Sequence, residues 1–375
     1  MLNTSNDNIV QTTTKFPYRF EDLERIAKHT LAENVFSYIY SGASAENTLQ
    51  KNNSTFHKYN MIPRLLRDVS KIDMSINLFG KQLPTPLILA PVGVLKMVNE
   101  MGDLAVVKAA ETFNLPFIQS TVSSFSIEEV SQASSNPKWF QLYWSKNLDV
   151  TFNMVNRAEQ AGYEAIVLTI DTVTLGWRES DLHHGFSPLA NGYGQGIWES
   201  DTAFLSSLRD GSQNAMIEGI IDNINFPSLQ WQHIVELKKR THLPIILKGI
   251  LHPDDALLAL QYGVDGIIVS NHGGRQLDGI IPSINALPAI VKAIDGKIPV
   301  LFDSGIRRGN DALKAIALGA DAVLIGRPFV YSLAIGGEEG VRQFLSNFIQ
   351  DFQTNMILTG VCSIKEAKEI HIVRE

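Results

Sequence analysis

The chain has a single cysteine, Cys362, among its 375 residues. That excludes an intrachain disulfide and a cysteine-built zinc site, and it fits a reducing, cytoplasmic compartment. Excess positive charge is also missing: 32 Lys and Arg stand against 39 Asp and Glu. Without a basic field, nucleic acid is not an expected partner. Long apolar runs are absent as well. PLILAPVGVL at 86–95 is far shorter than the roughly 20 residues needed to span a bilayer, so no membrane partner is expected. The opening stretch MLNTSNDNIVQTTTKF lacks the basic and apolar blocks of a secretory signal and reads as a polar tail over 1–16. What remains, 45% hydrophobic and 19% charged, is enough for a sizeable folded core.

Three segments share one grammar: AGYEAIVLT (161–169), YGVDGIIVS (262–270) and LGADAVLIG (318–326). Each reads as a helix end, a glycine suited to the left-handed position after it, an acidic residue and a short apolar strand. Strands apolar at nearly every position are buried on both faces, as in a parallel sheet. Four more begin after a proline, TPLILAP (85–91), LPFIQST (115–121), LPIILKG (243–249) and IPVLFDSG (298–305), and KWFQLYW (138–144) completes eight. Amphipathic stretches such as DLAVVKAAETF (103–113) and HPDDALLALQ (252–261) lie between them. The expected fold is α/β, a (β/α)8 TIM barrel in one domain over 1–375, with an N-terminal helical extension and a long lid loop after strand four, about 180–230. A doubly wound open sheet is the alternative. Gly192, Gly194 and Gly196 in the lid do not match a dinucleotide-binding spacing.

In a barrel the C-terminal strand ends face one cavity. In strand order the chain places there Pro91, Val92 and Gly93; Ser120; Gln141 and Tyr143; Thr169, Asp171 and Arg178; Lys248; Ser270, His272 and Arg275; Asp303; Gly326 and Arg327. Each alone has a plain structural reading, such as a helix cap. An imidazole, a carboxylate, a lysine and several arginines converging on one cavity point instead to an active site, because buried charges are costly unless used. DSGIRRGND (303–311) and GADAVLIGRP (319–328) fall where barrels bind phosphate, with helix-start amides and Arg307 or Arg308, Gly326 and Arg327 as the expected holders. Hydroxyl and amide groups at Ser120, Gln141 and Thr169 suit the edge of a flat heterocycle, with Lys248 supplying charge. Flavin mononucleotide (FMN) fits this, and pyridoxal phosphate on Lys248 is the alternative.

SNHGGRQ (270–276), LTIDTVTLGWR (168–178), FQLYW (140–144), LPIILKGI (243–250), FDSGIRRG (302–309) and IGRP (325–328) together resemble the FMN-dependent L-2-hydroxy acid oxidase family, over roughly residues 20–373. The resemblance implies that His272 is the general base taking the substrate hydroxyl proton, with Asp171 as its partner. Tyr143 resembles the donor near the substrate oxygen, and Arg178, Arg275 and Tyr38 resemble the clamp on the substrate carboxylate. It implies FMN at Pro91, Ser120, Gln141, Thr169, Lys248, Ser270, Asp303, Gly305, Arg307, Gly326 and Arg327, with Val92 and Gly93 beside it and Arg308 the weaker of its pair. No metal is implied.

Within the family, LAPVGVL, IQSTVSSFSIEEV and LGWRESDL look most like lactate 2-monooxygenase, whereas glycolate oxidases more often carry alanine at Gly93 and an aromatic residue at Val122. The implied reaction is oxidation of L-lactate with oxygen as acceptor. Room beside Gly93 is expected to hold pyruvate for decarboxylation; release of hydrogen peroxide as in L-lactate or glycolate oxidase is the alternative. Relatives imply a homo-tetramer or homo-octamer. A metal-dependent barrel hydrolase would also place His, Lys and Asp at strand ends, but LAPVGVLKM offers no paired histidines. His183 and His184, adjacent in the lid, are expected to point apart.

Overall fold

The computed structural model describes residues 16–375, so nearly all of the expected polar tail lies outside the described residues. Three helices, Phe20–Thr30, Glu33–Tyr40 and Asn47–Ser54, form the N-terminal extension. Strand β1 (Tyr59–Ile62) follows, then a hairpin of β2 (Ile76–Leu78) and β3 (Lys81–Leu83). The next eight strands are β4 (Leu87–Leu89), β5 (Phe117–Ser120), β6 (Lys138–Leu142), β7 (Ala165–Thr169), β8 (Ile245–Ile250), β9 (Gly266–Val269), β10 (Val300–Phe302) and β11 (Ala322–Ile325). They form a closed barrel in sequence order, all paired parallel, with β11 returning to β4. Every strand read from the sequence is present, and the open-sheet alternative falls with the closure. The last strand, β12 (His371–Arg374), pairs antiparallel with β1.

Alternation along each strand sends side chains to two different cores. Leu87 and Leu89 of β4 face the helices, whereas Ile88 points into the barrel. There it meets Ile118, Trp139, Val167, Ile246, Ile268, Leu301 and Leu324, at most one or two from each strand. Leu78 and Leu83 of the β2–β3 hairpin join this inner core, and Phe79 packs edge-on against Trp139 at 5.6 Å. The hairpin thus closes the N-terminal end of the barrel, and the polar strand ends are left with only the C-terminal mouth to face.

The stretch expected as one long loop is largely helical. Glu179–His184, Gly196–Glu199, Thr202–Ser207 and Gln213–Ile224 are short helices, and Ile197, Trp198, Phe204 and Ile220 are fully buried. The apolar residues among the polar ones anchor the second half of this stretch to the barrel. The first half, around Glu179–His184 with no buried residue, overhangs the mouth, and the second half reaches the cavity at Ile221, Ile224 and Asn225. His183 and His184 lie on one helix rather than in extended chain, so their rings meet edge-on at 5.3 Å instead of pointing apart.

Candidate active site

The mouth of the barrel holds a cavity of about 680 Å3. Its wall brings together Tyr38, Pro91, Val92, Gly93, Ser120, Tyr143, Arg178 and Lys248 with His272, Arg275, Asp303, Gly305, Arg307, Gly326 and Arg327. Four expected residues stand behind that wall. Gln141, Thr169 and Ser270 are almost fully buried, and Asp171 reaches the cavity only through His272.

His272 follows the end of β9 in the left-handed backbone region, with φ of 57°, and Gly273 and Gly274 continue it. A non-glycine residue there is strained by about 1 kcal/mol or more, so the neighbours must fix the turn. Ser270 Oγ accepts the His272 amide at 3.0 Å, and Ser304 Oγ accepts that of Gly273 at 3.0 Å. The turn aims the imidazole at Asp171, whose Oδ1 lies 2.8 Å from Nδ1. Thr172 Oγ1, which the sequence reading passed over, lies 3.1 Å from the same carboxylate oxygen and 3.2 Å from Nδ1. With the proton on Nδ1 shared toward Asp171, the lone pair is left on Nε2, which has no hydrogen-bond partner among the described residues. Burial pushes the His272 pKa below its ordinary value despite Asp171, and Lys248 and Arg178 push the same way. The imidazole is therefore neutral near pH 7. Asp171 is held below the carboxylate range because His272 and Lys248 outweigh its burial.

On β8, a register shift between Lys248 and Ile250 re-aims the strand end. Lys248 Nζ donates to Ser270 Oγ at 3.0 Å and lies 3.5 Å from Asp303 Oδ2. Burial alone would lower its pKa; Asp303 and Asp171 raise it above the ordinary value, so it stays charged. Tyr143, pushed up to about 12 chiefly by burial, remains a protonated donor.

Three arginines of the cavity, Arg275, Arg307 and Arg327, have no carboxylate at ion-pair distance among the described residues, unlike Arg178 with Asp181 and Arg308 with Glu21. Burial, then mutual repulsion, lowers Arg275 to about 10 and Arg327 to about 9. Arg275 is fixed by Nη1, which donates to Tyr38 O at 2.6 Å and Ser41 O at 2.8 Å, and it stacks 4.9 Å over the Tyr38 ring. Its Nε and Nη2 edge has no partner among the described residues and can take an anion. Arg307 stacks 4.8 Å over Phe20 of the N-terminal extension, whereas Arg308 turns outward. Arg327 ties Ile39, Ser41 and Gly273 carbonyls together at 3.0–3.1 Å. Buried cations without counter-ions are costly unless anions complete them.

One expectation about the phosphate end is corrected. The amides at the start of Gly309–Ala317 are already taken: those of Arg307 and Arg308 donate to Asp311 Oδ2 at 3.0 Å, and that of Gly309 donates to Asp351 Oδ2 at 2.6 Å. Phosphate must rely on the arginines and on the Arg327 amide that opens the next helix, since Pro328 has no N–H and the Phe329 amide donates to Gly326 O at 3.1 Å. A second correction concerns Gly93. A methyl there would meet Val122 Cγ2 at 2.3 Å, so the room expected from the missing methyl is filled by Val122.

A flat, phosphate-bearing cofactor suits what remains. Gln141 Nε2 is buried without a partner among the described residues, although its Oε1 accepts from Ser120 Oγ at 3.0 Å. A Cβ on Gly326 would find its nearest neighbour, Ala90 Cβ, only at 3.9 Å, so the cavity reaches its backbone. Gly305 is different: a Cβ would lie 2.2 Å from Asn52 O, so its glycine serves packing against the helix Asn47–Ser54. Among the described residues no cluster of His, Cys, Asp and Glu could hold a metal ion, and no helix is long and apolar enough to cross a membrane.

Residues 27–374 match the family model described as FMN-dependent dehydrogenase. The chain is 52% identical to an L-lactate oxidase of Lysinibacillus sphaericus, covering 100% of this chain and 98% of that protein. It is 40% identical to the glycolate oxidase of Spinacia oleracea, over 94% and 95% of the two chains. A crystal structure of mandelate oxidase superposes with a TM-score of 0.87 at 36% identity, covering 96% of this chain and 99% of that one. The chain belongs to the FMN-dependent dehydrogenase family and is an FMN-dependent 2-hydroxy acid oxidase.

Proposed function

We propose that the enzyme oxidises L-lactate to pyruvate with dioxygen as acceptor, releasing hydrogen peroxide. The observation that carries this reading is the Asp171-bound His272 beside the edge of Arg275 that has no partner among the described residues, in one cavity. The 52% identity to an L-lactate oxidase supports the choice of substrate. When bound, FMN supplies a two-electron acceptor for the substrate α-carbon.

The residues of the chain do the rest. Arg275 and Arg178 take the substrate carboxylate and orient the α-hydrogen, converting an encounter into a positioned reaction. Tyr38 supports the clamp from below, and Tyr143 donates a hydrogen bond to a substrate oxygen. His272 Nε2 accepts the hydroxyl proton, and Asp171 stabilises the imidazolium that results. Lys248, Ser120 and the unpartnered Gln141 amide would hold the heterocycle beside Pro91, Val92 and Gly93, with Thr169 and Ser270 supporting them from behind the wall. Arg307, Arg327, Gly326, Gly305 and Asp303, which line the same cavity, would hold its phosphate-bearing end.

The filled space at Gly93 favours prompt release of pyruvate over its decarboxylation. Partly exposed Cys362 suits a reducing cytoplasm, and a homo-tetramer or homo-octamer is carried over from the family resemblance. Product analysis after aerobic turnover with L-lactate, glycolate and a longer hydroxy acid tests the reading. Equal amounts of pyruvate and hydrogen peroxide, with L-lactate the best substrate, support it. Acetate and carbon dioxide, or no oxygen uptake, contradict it.

A further inference from the structure

The clamp contains a carboxylate that the oxidation does not use. Asp181, on the short helix Glu179–His184, lines the cavity together with Tyr38, Arg178 and Arg275. Its side chain is only 15% exposed, yet its Oδ2 stops 3.7 Å from Arg178 Nη1, and its buried Oδ1 has no partner among the described residues. A buried carboxylate oxygen left unpaired is unfavourable and calls for an explanation.

A strut for Arg178 would be one, but Arg178 is already fixed. Its Nε donates to Arg275 O and its Nη2 to Gln276 Oε1, both at 3.1 Å. Arg275 is held independently by Tyr38 and Ser41. What Asp181 contributes is charge. Burial raises the Asp181 pKa above the ordinary carboxylate value, and the charged groups that pull against burial are Arg275 and Arg178, with His184 of its own helix beyond them. Its helix is lightly attached, with no buried residue and its main tie between the hydroxyls of Ser180 and Ser37. On either side the chain is pinned: Gly176 lies against the Arg275 and Gln276 backbone, and Gly194 against Val94 and Val122. Asp181 therefore has room to withdraw while the clamp stays in place.

We propose that Asp181 is an internal competitor for the carboxylate clamp: it supplies the counter-charge to Arg178 and Arg275 in the empty site, yields to the substrate carboxylate, and weakens the hold on the keto acid product. This rests on the reading of Arg178 and Arg275 as the clamp. Asp181 is a positioning residue that acts through the arginines. Its charge should lower affinity for carboxylate ligands while leaving neutral analogues unaffected.

Calorimetric titration of the oxidised holoenzyme with pyruvate and with the neutral pyruvamide tests this without turnover. Asp181→Asn should bind pyruvate about tenfold more tightly, a modest share of the attraction between charges a few ångströms apart, and should bind pyruvamide as the parent does. Asp181→Glu, which keeps the charge, should stay close to the parent with pyruvate. Unchanged pyruvate affinity in Asp181→Asn would overturn the proposal, and weakened affinity would show a strut instead. Arg275→Met separates the two readings. If it loses pyruvate affinity, the clamp stands and the Asp181 variants decide; if it does not, the clamp reading fails and the proposal falls with it.

Discussion

Gly249 lies directly against the carboxylate of Asp171: a Cβ on Gly249 would fall 2.7 Å from Asp171 Cβ and 2.8 Å from Cγ. At φ of 117° the backbone of Gly249 is in a region that other residues enter only with strain. The bulge at this point of β8 therefore makes the seat of Asp171 as well as aiming Lys248. Gly249→Ala should push Asp171 away from His272 and slow flavin reduction by about 10–100-fold, with a stability loss of about 1–3 kcal/mol. Stopped-flow reduction and thermal melting read the two effects. A reduction rate equal to the parent's would show that Asp171 is not seated by this contact.

The pH dependence follows from the direction of the His272 shift. Its pKa is lowered below 6.5 by burial, with Asp171 opposing and Lys248 and Arg178 reinforcing. The active form is the neutral base, so activity is lost as the pH falls through that lowered value and stays level above it until the pH nears about 10, where Arg275 of the clamp begins to lose its charge. Tyr143, at about 12, imposes no loss near neutrality. A profile of kcat/KM for L-lactate should show an acid limb with an apparent pKa below 6.5, and a limb centred above 7 would contradict the assignment.

The two adjacent arginines should differ sharply. Arg307 faces the cavity over Phe20, whereas Arg308 is half-buried and paired with Glu21. Arg307→Ala should weaken FMN binding by about 10–100-fold, the scale of a lost charge-assisted hydrogen bond, and Arg308→Ala should leave it unchanged. Titration of the apoprotein with FMN, followed by quenching of flavin fluorescence, measures both. The reverse order would move the phosphate site.

Much of this was readable in the sequence because burial on both faces leaves a one-dimensional mark. Apolar runs such as AIVLT and GIIV are legible as strands without knowledge of their neighbours, and barrel closure then gathers their ends. Side-chain direction leaves no such mark. That Asp351 would take the Gly309 amide, or that Asp181 would face Arg275, depends on contacts between distant segments, whereas Asp311, three residues after Arg308, is a local helix cap. Thr172 was the nearest to being found, since it directly follows Asp171. The lid was misjudged because its glycines and polar residues masked Trp198 and Phe204, whose burial makes the second half part of the barrel wall.

The central claim is that His272 is the base, and anaerobic stopped-flow reduction of the His272→Gln holoenzyme by L-lactate tests it most directly. The account predicts a protein that keeps its FMN and its visible spectrum while the flavin is reduced about 100–10,000-fold more slowly, the usual scale for a lost general base. A reduction rate within about threefold of the parent's, a difference of less than 1 kcal/mol in barrier, would contradict it.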